Sequence, residues 1–366
     1  MSVRSKRDAR TFRTHRYGFV VIAACACLLT AVAAQTASPS QGAAKASAQP
    51  AQAEARSQTL ALTFVRKISS AQDVKHGGHP GLERAVEIIA GPKEETAAPA
   101  DVLETPTAVT TDPTHRLFVA DPVKHGIHIF DFDQSKYFFI EGKNEKLEQP
   151  FGLASGPGGD IYVSDVRLGL ILIYDPHGKF RGYLGKRKQE SYFEAPMGIA
   201  INPATGRIYV CDAGRDMVIE LDRKGRIVTH FGKRGGGTGA AEFKRPTQVA
   251  TNGDALVVLD AGNQRLQIMD MHGHFRNEIK LPEVDKRAGL AVDREGNIYV
   301  AQTFLNSVQV FDRNGQPIYR LGKIGTDAGE FQEPFGLTVN SRDGLYVADS
   351  GNHRVQQFRI NPSGRK

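Results

Sequence analysis

The residues in this sequence whose type and spacing most suggest chemistry are six polar residues that end short apolar segments. They recur at intervals of 42 to 48 residues, at Asp121, Asp165, Asp212, Asp260, Gln302 and Asp349. Carboxylates that converge from equivalent positions could bind a divalent cation or serve as a general acid and base. Short polar side chains after a strand can instead bind loop N–H groups. The neighbouring residues favour the second role.

Two of these carboxylates are followed five residues later by an arginine. Asp260 precedes Arg265 and Asp349 precedes Arg354, so each pair can form charge-assisted hydrogen bonds across one loop. The fifth repeat lacks both members of the pair. In the first three repeats the Asp stands without the Arg, and we expect it to cap loop N–H groups as an Asx turn. We therefore predict structural roles for the recurring residues and assign no catalytic residue.

The eleven histidines raise the question of a metal site. A zinc site needs three or four ligands at about 2 Å from the metal. The histidines do not recur at equivalent positions of the repeats, although His115, His125 and His128 crowd the first repeat. We predict no metal ligands and no cofactor.

Two other motifs have simple structural interpretations. Cys211 stands immediately before the recurring Asp, where other repeats have Ala or Ser, so we interpret it as a small core residue rather than a nucleophile. Residues 235–239, Gly-Gly-Gly-Thr-Gly, resemble a phosphate loop, but they lack a following helix and a Lys-Ser/Thr pair. We expect a connection between repeats there.

All these residues belong to a motif that occurs six times. The full motif is a Pro, a Gly two residues later, an apolar segment, a turn, a second strand that ends at the recurring polar residue, and two further strands, and Arg287 replaces the Pro in copy five. In the second repeat we predict strands at residues 152–155, 161–164, 170–174 and 180–184. Radial repetition of four-stranded sheets at this period is typical of a β-propeller. The copies begin at Pro106, Pro150, Pro196, Pro246, Arg287 and Pro334.

The sixth copy stops after its third strand, near Ile360. Residues 62–68 resemble the outer strands of other copies and should supply the missing strand, because a closed ring leaves fewer exposed sheet edges. Residues 82–90 have apolar residues at helical spacing before Gly91-Pro92, which predicts a short helix. We therefore expect an all-β fold, a six-bladed β-propeller with four-stranded blades, closed by an N-terminal strand, with one short N-terminal helix.

The repeats resemble the NHL repeat over roughly residues 60–360. The last copy, Asp349-Ser350-Gly351-Asn352-His353-Arg354-Val355-Gln356, is the most similar to the NHL signature, and repeats one and five depart from it most. The resemblance implies a propeller, whereas the functions of NHL propellers differ, since they bind RNA or proteins, serve in ubiquitin ligases, or form peptide-amidating lyases. No Cys/His cluster with zinc-finger spacing accompanies the repeats, which argues against a ligase. Fold alone does not settle function.

The face made by the loops before the inner strands and after the second strands is the candidate binding site. The residues after each recurring Pro, or after its substitute, form the predicted central rim: Thr107, Phe151, Met197, Thr247, Ala288 and Phe335. The large apolar members Phe151, Met197 and Phe335 could contact a ligand or plug the channel. Positive charge around them would suit an acidic peptide or glycan and comes from Lys124, Arg167, Arg215 and Arg287.

The N-terminal residues have the construction of an export signal. A basic stretch precedes the apolar residues 18–34, and small residues follow that permit cleavage after Ala33 or Ala34. An uncleaved membrane anchor and lipidation at Cys25 are the alternatives. Residues 35–59 are rich in Ala, Gln, Ser and Pro, which predicts a flexible linker. The predicted organisation is thus residues 1–34 as signal or anchor, residues 35–59 as linker and residues 60–366 as propeller.

Net charge argues against a nucleic-acid partner. The chain carries +7 in total, but residues 1–34 hold six basic residues and one acid, so only two net positive charges remain elsewhere. We expect an exported protein, periplasmic or extracellular, that meets the membrane only through its N-terminal segment. The leading hypothesis is a non-catalytic scaffold that binds a protein, peptide or glycan. The alternative is a metal-dependent hydrolase or lyase, lactonase-like or amidating-lyase-like.

Overall fold

The computed structural model describes residues 60–74, 102–141, 147–187 and 190–361. The predicted signal, linker and short helix at residues 82–90 lie outside these ranges. The described residues form six four-stranded antiparallel sheets, in each of which the first three strands follow one another in sequence. No helix among them is long and apolar enough to cross a lipid bilayer.

Each sheet is one blade, numbered here in chain order, and its strands are given from the channel outwards. Blades 1 to 3 contain Ala108–Thr111, Leu117–Asp121, Gly126–Asp131, Lys136–Glu141; Pro150–Ser155, Ile161–Asp165, Leu170–Tyr174, Phe180–Leu184; and Pro196–Ile201, Ile208–Asp212, Met217–Leu221, Ile227–Gly232. Blades 4 to 6 contain Pro246–Thr251, Ala255–Asp260, Arg265–Asp270, Phe275–Lys280; Leu290–Val292, Ile298–Gln302, Ser307–Phe311, Pro317–Leu321; and Pro334–Val339, Gly344–Asp349, Arg354–Asn361, Ala61–Ile68.

Four short 3-10 helices and one small hairpin complete the described secondary structure. The hairpin joins Lys186–Arg187 to Glu190–Ser191 after blade 2. The 3-10 helices are Ala71–Val74, Ala261–Asn263, Thr303–Leu305 and Ser350–Asn352.

The N-terminal strand closes the ring, as the sequence predicted. Ala61–Ile68 pairs antiparallel with Arg354–Asn361, and Leu62 lies opposite Ile360. It thereby supplies the outer strand that the sixth repeat lacks. The six-bladed propeller with four-stranded blades is confirmed.

The core consists of six apolar clusters, one between each pair of neighbouring blades. Second strands are covered on both faces by adjacent blades, which is why Leu117–Asp121 and Ile208–Asp212 are buried throughout. Outer strands such as Lys136–Glu141 are mostly exposed or half-buried. Cys211 is fully buried in the cluster between blades 3 and 4, and burial raises the pKa of its thiol.

The Gly of the recurring Pro-x-Gly motif permits close approach of neighbouring inner strands. A Cβ at Gly198 of blade 3 would lie 2.6 Å from Gln248 Cα of blade 4. A Cβ at Gly336 of blade 6 would lie 2.6 Å from Ala108 Cα of blade 1. Both distances are below van der Waals contact, so a larger residue would push the blades apart. The Gly therefore permits the close packing of inner strands at these two seams.

Candidate loop-face cavity

The recurring carboxylates hold the connections between blades. Asp165 is fully buried, and its Oδ2 accepts the backbone N–H groups of Glu148 at 2.7 Å and Gln149 at 3.0 Å. Its Oδ1 accepts those of Arg167 at 3.1 Å and Leu168 at 3.0 Å. Asp121 and Asp212 bind the equivalent connections in blades 1 and 3. These bonds engage the carboxylate oxygens within the protein.

Blades 4 and 6 form the two ion pairs expected from their sequences. Arg265 Nε lies 2.8 Å from Asp260 Oδ2, and Arg354 Nε lies 2.7 Å from Asp349 Oδ2. Both carboxylates are fully buried. Each guanidinium also donates to carbonyl groups of the connection before its blade. The pairs therefore join loop to blade and leave no carboxylate free for a ligand.

His128 lies in the core of blade 1. It occupies the place of Gln267 and Gln356 in blades 4 and 6, seven residues after the Asp. Its Nδ1 lies 2.9 Å from Tyr137 Oη, and its Nε2 lies 3.6 Å from Asp121 Oδ2. Burial acts to raise the pKa of Asp121, but the nearby imidazole of His128 and hydrogen bonds from the backbone N–H groups of Glu104 and Thr105 outweigh it and lower the pKa.

A cavity of about 1200 Å³ opens at the centre of the loop face. Phe151 and Met197 are half-buried in its wall. Phe335 is 3% exposed, with the guanidinium carbon of Arg287 4.2 Å from its ring centroid. Below the cavity, the inner strands of all six blades line a narrower channel of about 200 Å³. All three predicted large apolar rim residues therefore line the cavity, Phe335 as a nearly buried ring beneath the guanidinium of Arg287.

The predicted basic residues all have acidic neighbours. Lys124 Nζ lies 3.3 Å from Glu104, Arg167 Nε 2.9 Å from Glu148, and Arg215 Nε 3.5 Å from Glu194. These glutamates stand two residues before the recurring Pro of blades 1 to 3.

Arg287 in blade 5 likewise lies 3.2 Å from Asp285. The four predicted cations thus carry less free positive charge than their sequence positions indicate.

Sequence reasoning missed three residues that line this cavity. Arg245 and Lys286 are exposed, and neither side chain forms an ion pair among the described residues, although Asp216 accepts the backbone N–H of Arg245. Phe304, in the 3-10 turn of blade 5, is 64% exposed. An alignment of the six loops would have shown Phe304 and Leu305 at the place where blades 4 and 6 have Gly-Asn.

The donors for a metal ion do not converge in the described ranges. No three His, Cys, Asp or Glu side chains there lie close enough together to hold a cation. His272 and His274 stand on an outer turn of blade 4, with Nδ1 of His274 2.9 Å from Asp270. The residues that the structure describes therefore do not form a set of metal ligands.

Comparison with known proteins agrees with the fold. A family model for the NHL repeat matches residues 331–358. The chain is 28% identical to Protein brain tumor of Drosophila melanogaster over 134 residues, 36% of this chain and 13% of that protein. It is also 28% identical to peptidylglycine alpha-amidating monooxygenase of Rattus norvegicus over 253 residues, 64% of this chain and 26% of that protein.

A solved gluconolactonase from Xanthomonas campestris superposes with a TM-score of 0.54 at 14% identity, over 71% of this chain and 88% of that one. This likeness concerns the fold. The chain spans about a quarter or less of the two curated relatives, so their activities do not transfer with it. The chain is thus a six-bladed β-propeller whose last blade matches the NHL repeat.

Proposed function

We propose that this protein is an exported, non-catalytic binding scaffold whose loop face recognises a protein, peptide or glycan. The observation that carries the proposal is the cavity of about 1200 Å³, which has Phe151 and Met197 in its wall. Its volume exceeds the roughly 300–1,000 Å³ typical of small-molecule pockets. A partner larger than a metabolite would fill it.

The architecture supports binding because it fixes the loops before a ligand arrives. Ser350 Oγ of blade 6 donates to the carbonyl of Pro106, and Thr303 Oγ1 of blade 5 donates to that of Pro334 at 2.9 Å. Asp216 of blade 3 accepts the N–H of Arg245 at 2.7 Å. Loops that are ordered in the free protein lose little entropy on binding, which favours affinity.

Export remains part of the proposal. The basic and apolar composition of residues 1–34 supports it, with residues 35–59 as linker to a propeller domain at residues 60–366. If the signal is cleaved, the protein is periplasmic or extracellular. If residues 18–34 are retained, or if Cys25 carries a lipid, the protein is attached to the membrane. The intact mass of the exported protein distinguishes cleavage, retention and lipidation.

A metal-dependent lyase or hydrolase is the second candidate. It is favoured by the 253-residue match to the amidating monooxygenase. Elemental analysis of the purified propeller tests it, because a tightly held, stoichiometric divalent metal would favour the enzyme over the scaffold.

Substitution of residues in the cavity wall tests the proposed binding function. Phe151→Ala and Met197→Ala together should raise the Kd for a ligand from an unbiased screen roughly tenfold or more, since buried apolar anchors dominate such interfaces. Val228→Thr, on the exposed outer strand of blade 3, is the matched control and should leave the Kd unchanged. Equal binding by the double variant and the unchanged protein would contradict the proposed site.

A further inference from the structure

The loop after the second strand has the same construction in blades 4 and 6. Each loop is one turn of 3-10 helix that ends in Asn263 or Asn352. The Asn Nδ2 donates to the recurring carboxylate, at 2.8 Å in blade 4 and 3.0 Å in blade 6, and to a carbonyl of the preceding connection. The preceding Gly is also required, because a Cβ at Gly262 would collide with the carbonyl oxygen of Lys244.

Blade 5 keeps this backbone and changes its side chains. Thr303–Leu305 form the same turn, and Asn306 follows it in the left-handed region, at φ 48° against 52° for Gln264 of blade 4. Phe304 and Leu305 occupy the Gly and Asn places and are 64% and 45% exposed. The turn thereby loses the hydrogen bonds of the Asn and exposes two large apolar side chains. Neither change stabilises the blade, which points to a role outside it.

Two cations line the same cavity as Phe304. Arg245 precedes the recurring Pro of blade 4, and Lys286 lies in the connection to blade 5. Both side chains are exposed and form no ion pair among the described residues. In blades 1 to 3 the predicted cations are paired with glutamates. Among the described residues that line the cavity, the cations without an ion pair therefore lie in the connections that lead to blades 4 and 5.

We propose that Phe304, Leu305, Arg245 and Lys286, named here the blade 5 corner, bind a peptide segment in which a large apolar side chain stands beside one or two acidic side chains. The apolar side chain would cover Phe304 and Leu305 and remove their surface from water. The carboxylates would accept charge-assisted hydrogen bonds from Arg245 and Lys286. This inference rests on the proposed binding function and specifies its ligand class.

The side chains of the corner favour a peptide over an acidic glycan. An aromatic ring can stack on either ligand, but Leu305 offers an aliphatic surface that a hydroxyl-covered sugar matches poorly. The cavity wall also carries apolar side chains, with Val284 in the connection to blade 5, Met197 in blade 3 and Val166 in blade 2. Burying sugar hydroxyls there without partners would be unfavourable.

Selection from random 12-residue peptides displayed on phage tests the proposal, with the purified propeller as bait. Enriched peptides should carry net negative charge and at least one Leu, Ile, Phe or Trp beside an acidic residue. The best synthetic peptide then serves as probe. Phe304→Gly with Leu305→Asn restores the loop of blades 4 and 6 and should weaken the probe roughly tenfold or more. Arg245→Gln with Lys286→Gln should weaken it at low salt and remove most of its salt dependence.

Matched controls separate the corner from general surface effects. Ile227→Thr with Val228→Thr removes an exposed apolar pair on the outer strand of blade 3, and Lys224→Gln removes an exposed charge on a turn of that blade. Both should bind the probe as the unchanged protein does. Thermal unfolding of the Gly-Asn variant should stay close to that of the parent, because the replaced side chains are 64% and 45% exposed.

Several results would overturn the inference. Selected peptides without acidic bias would contradict the proposed role of Arg245 and Lys286. Unchanged binding by the Gly-Asn variant would contradict the proposed role of Phe304 and Leu305. Competition of the probe by polygalacturonate at equal charge concentration would assign the corner to a glycan. A dimer that the Gly-Asn variant converts to a monomer would assign it to a second copy of the chain.

The inference and the proposed function fail differently. Some peptides could require Phe151 and Met197 for binding and still bind the Gly-Asn variant. This result would support the loop face as a binding site but contradict the role of the blade 5 corner. Peptides that tolerate changes at both places would contradict the proposed function itself.

Discussion

At the scale of single residues, the recurring carboxylates hold loops in place. Their sequence spacing indicated this role, and the contacts of Asp165 and the pairs Asp260–Arg265 and Asp349–Arg354 have the corresponding geometry. The place of His128 was not predictable in the same way. A histidine at the position of Gln267 is recognised only when the repeats are aligned residue by residue, and its contact with Asp121 depends on their packing.

Replacement of Asp121 should change how stability depends on pH. Hydrogen bonds lower the folded-state pKa of this carboxyl below the ordinary value of 3.8. A lowered pKa stabilises the fold above the unfolded pKa, and this contribution disappears as the pH falls through the folded pKa. Asp121→Asn should therefore cost about 1–3 kcal/mol at pH 7 and flatten the fall in stability below about pH 5.

Urea unfolding between pH 2 and pH 7 measures this effect. Asp254→Asn, at an exposed turn of blade 4, is the control and should reproduce the parent curve closely. A parallel downward displacement of the Asp121→Asn curve at every pH would show that the charge of Asp121 contributes nothing.

At the scale of elements, the sequence predicted strands well because two signals coincide. Turns marked by Gly and Asp separate short apolar runs, and the same order recurs six times, so an error in one copy is corrected by the others. The strands of blade 2 accordingly start and end within two residues of the predicted places. Loop side chains lack such repetition. The neutralised rim cations and the exposed Phe304 and Leu305 are therefore features that the structure added.

The Pro-x-Gly motif gives a prediction at this scale. Gly336→Ala places a methyl group against Ala108 Cα and the carbonyl of Thr107 in the neighbouring blade. We expect a loss of about 1–3 kcal/mol in the free energy of unfolding, as for other overpacked sites. Gly158→Ala is the matched control, since nothing lies within 4 Å of its Cβ and its φ is not in the left-handed region. Equal unfolding midpoints for the two variants would contradict the close seam between blades 6 and 1.

At the scale of the whole molecule, closure of the propeller ring fixes the blades that carry the binding loops. The strand Ala61–Ile68 completes blade 6 and makes six equivalent inter-blade clusters possible. The ring carries its loops on a rigid base, with one wide cavity at the loop face and one narrow channel below it. The repeats predicted the ring and the face. They could not predict the distribution of free charge, because that depends on which glutamate reaches which cation in space.

Binding of a ligand in the loop-face cavity can be observed by hydrogen–deuterium exchange with and without the selected peptide. We predict slower exchange of backbone amides in the loops around Arg245, Lys286 and Phe304, and unchanged exchange in the outer strands Ile227–Gly232 and Phe275–Lys280. Protection confined to those outer strands, with the cavity loops unaffected, would show that the ligand binds elsewhere and would contradict the proposed function.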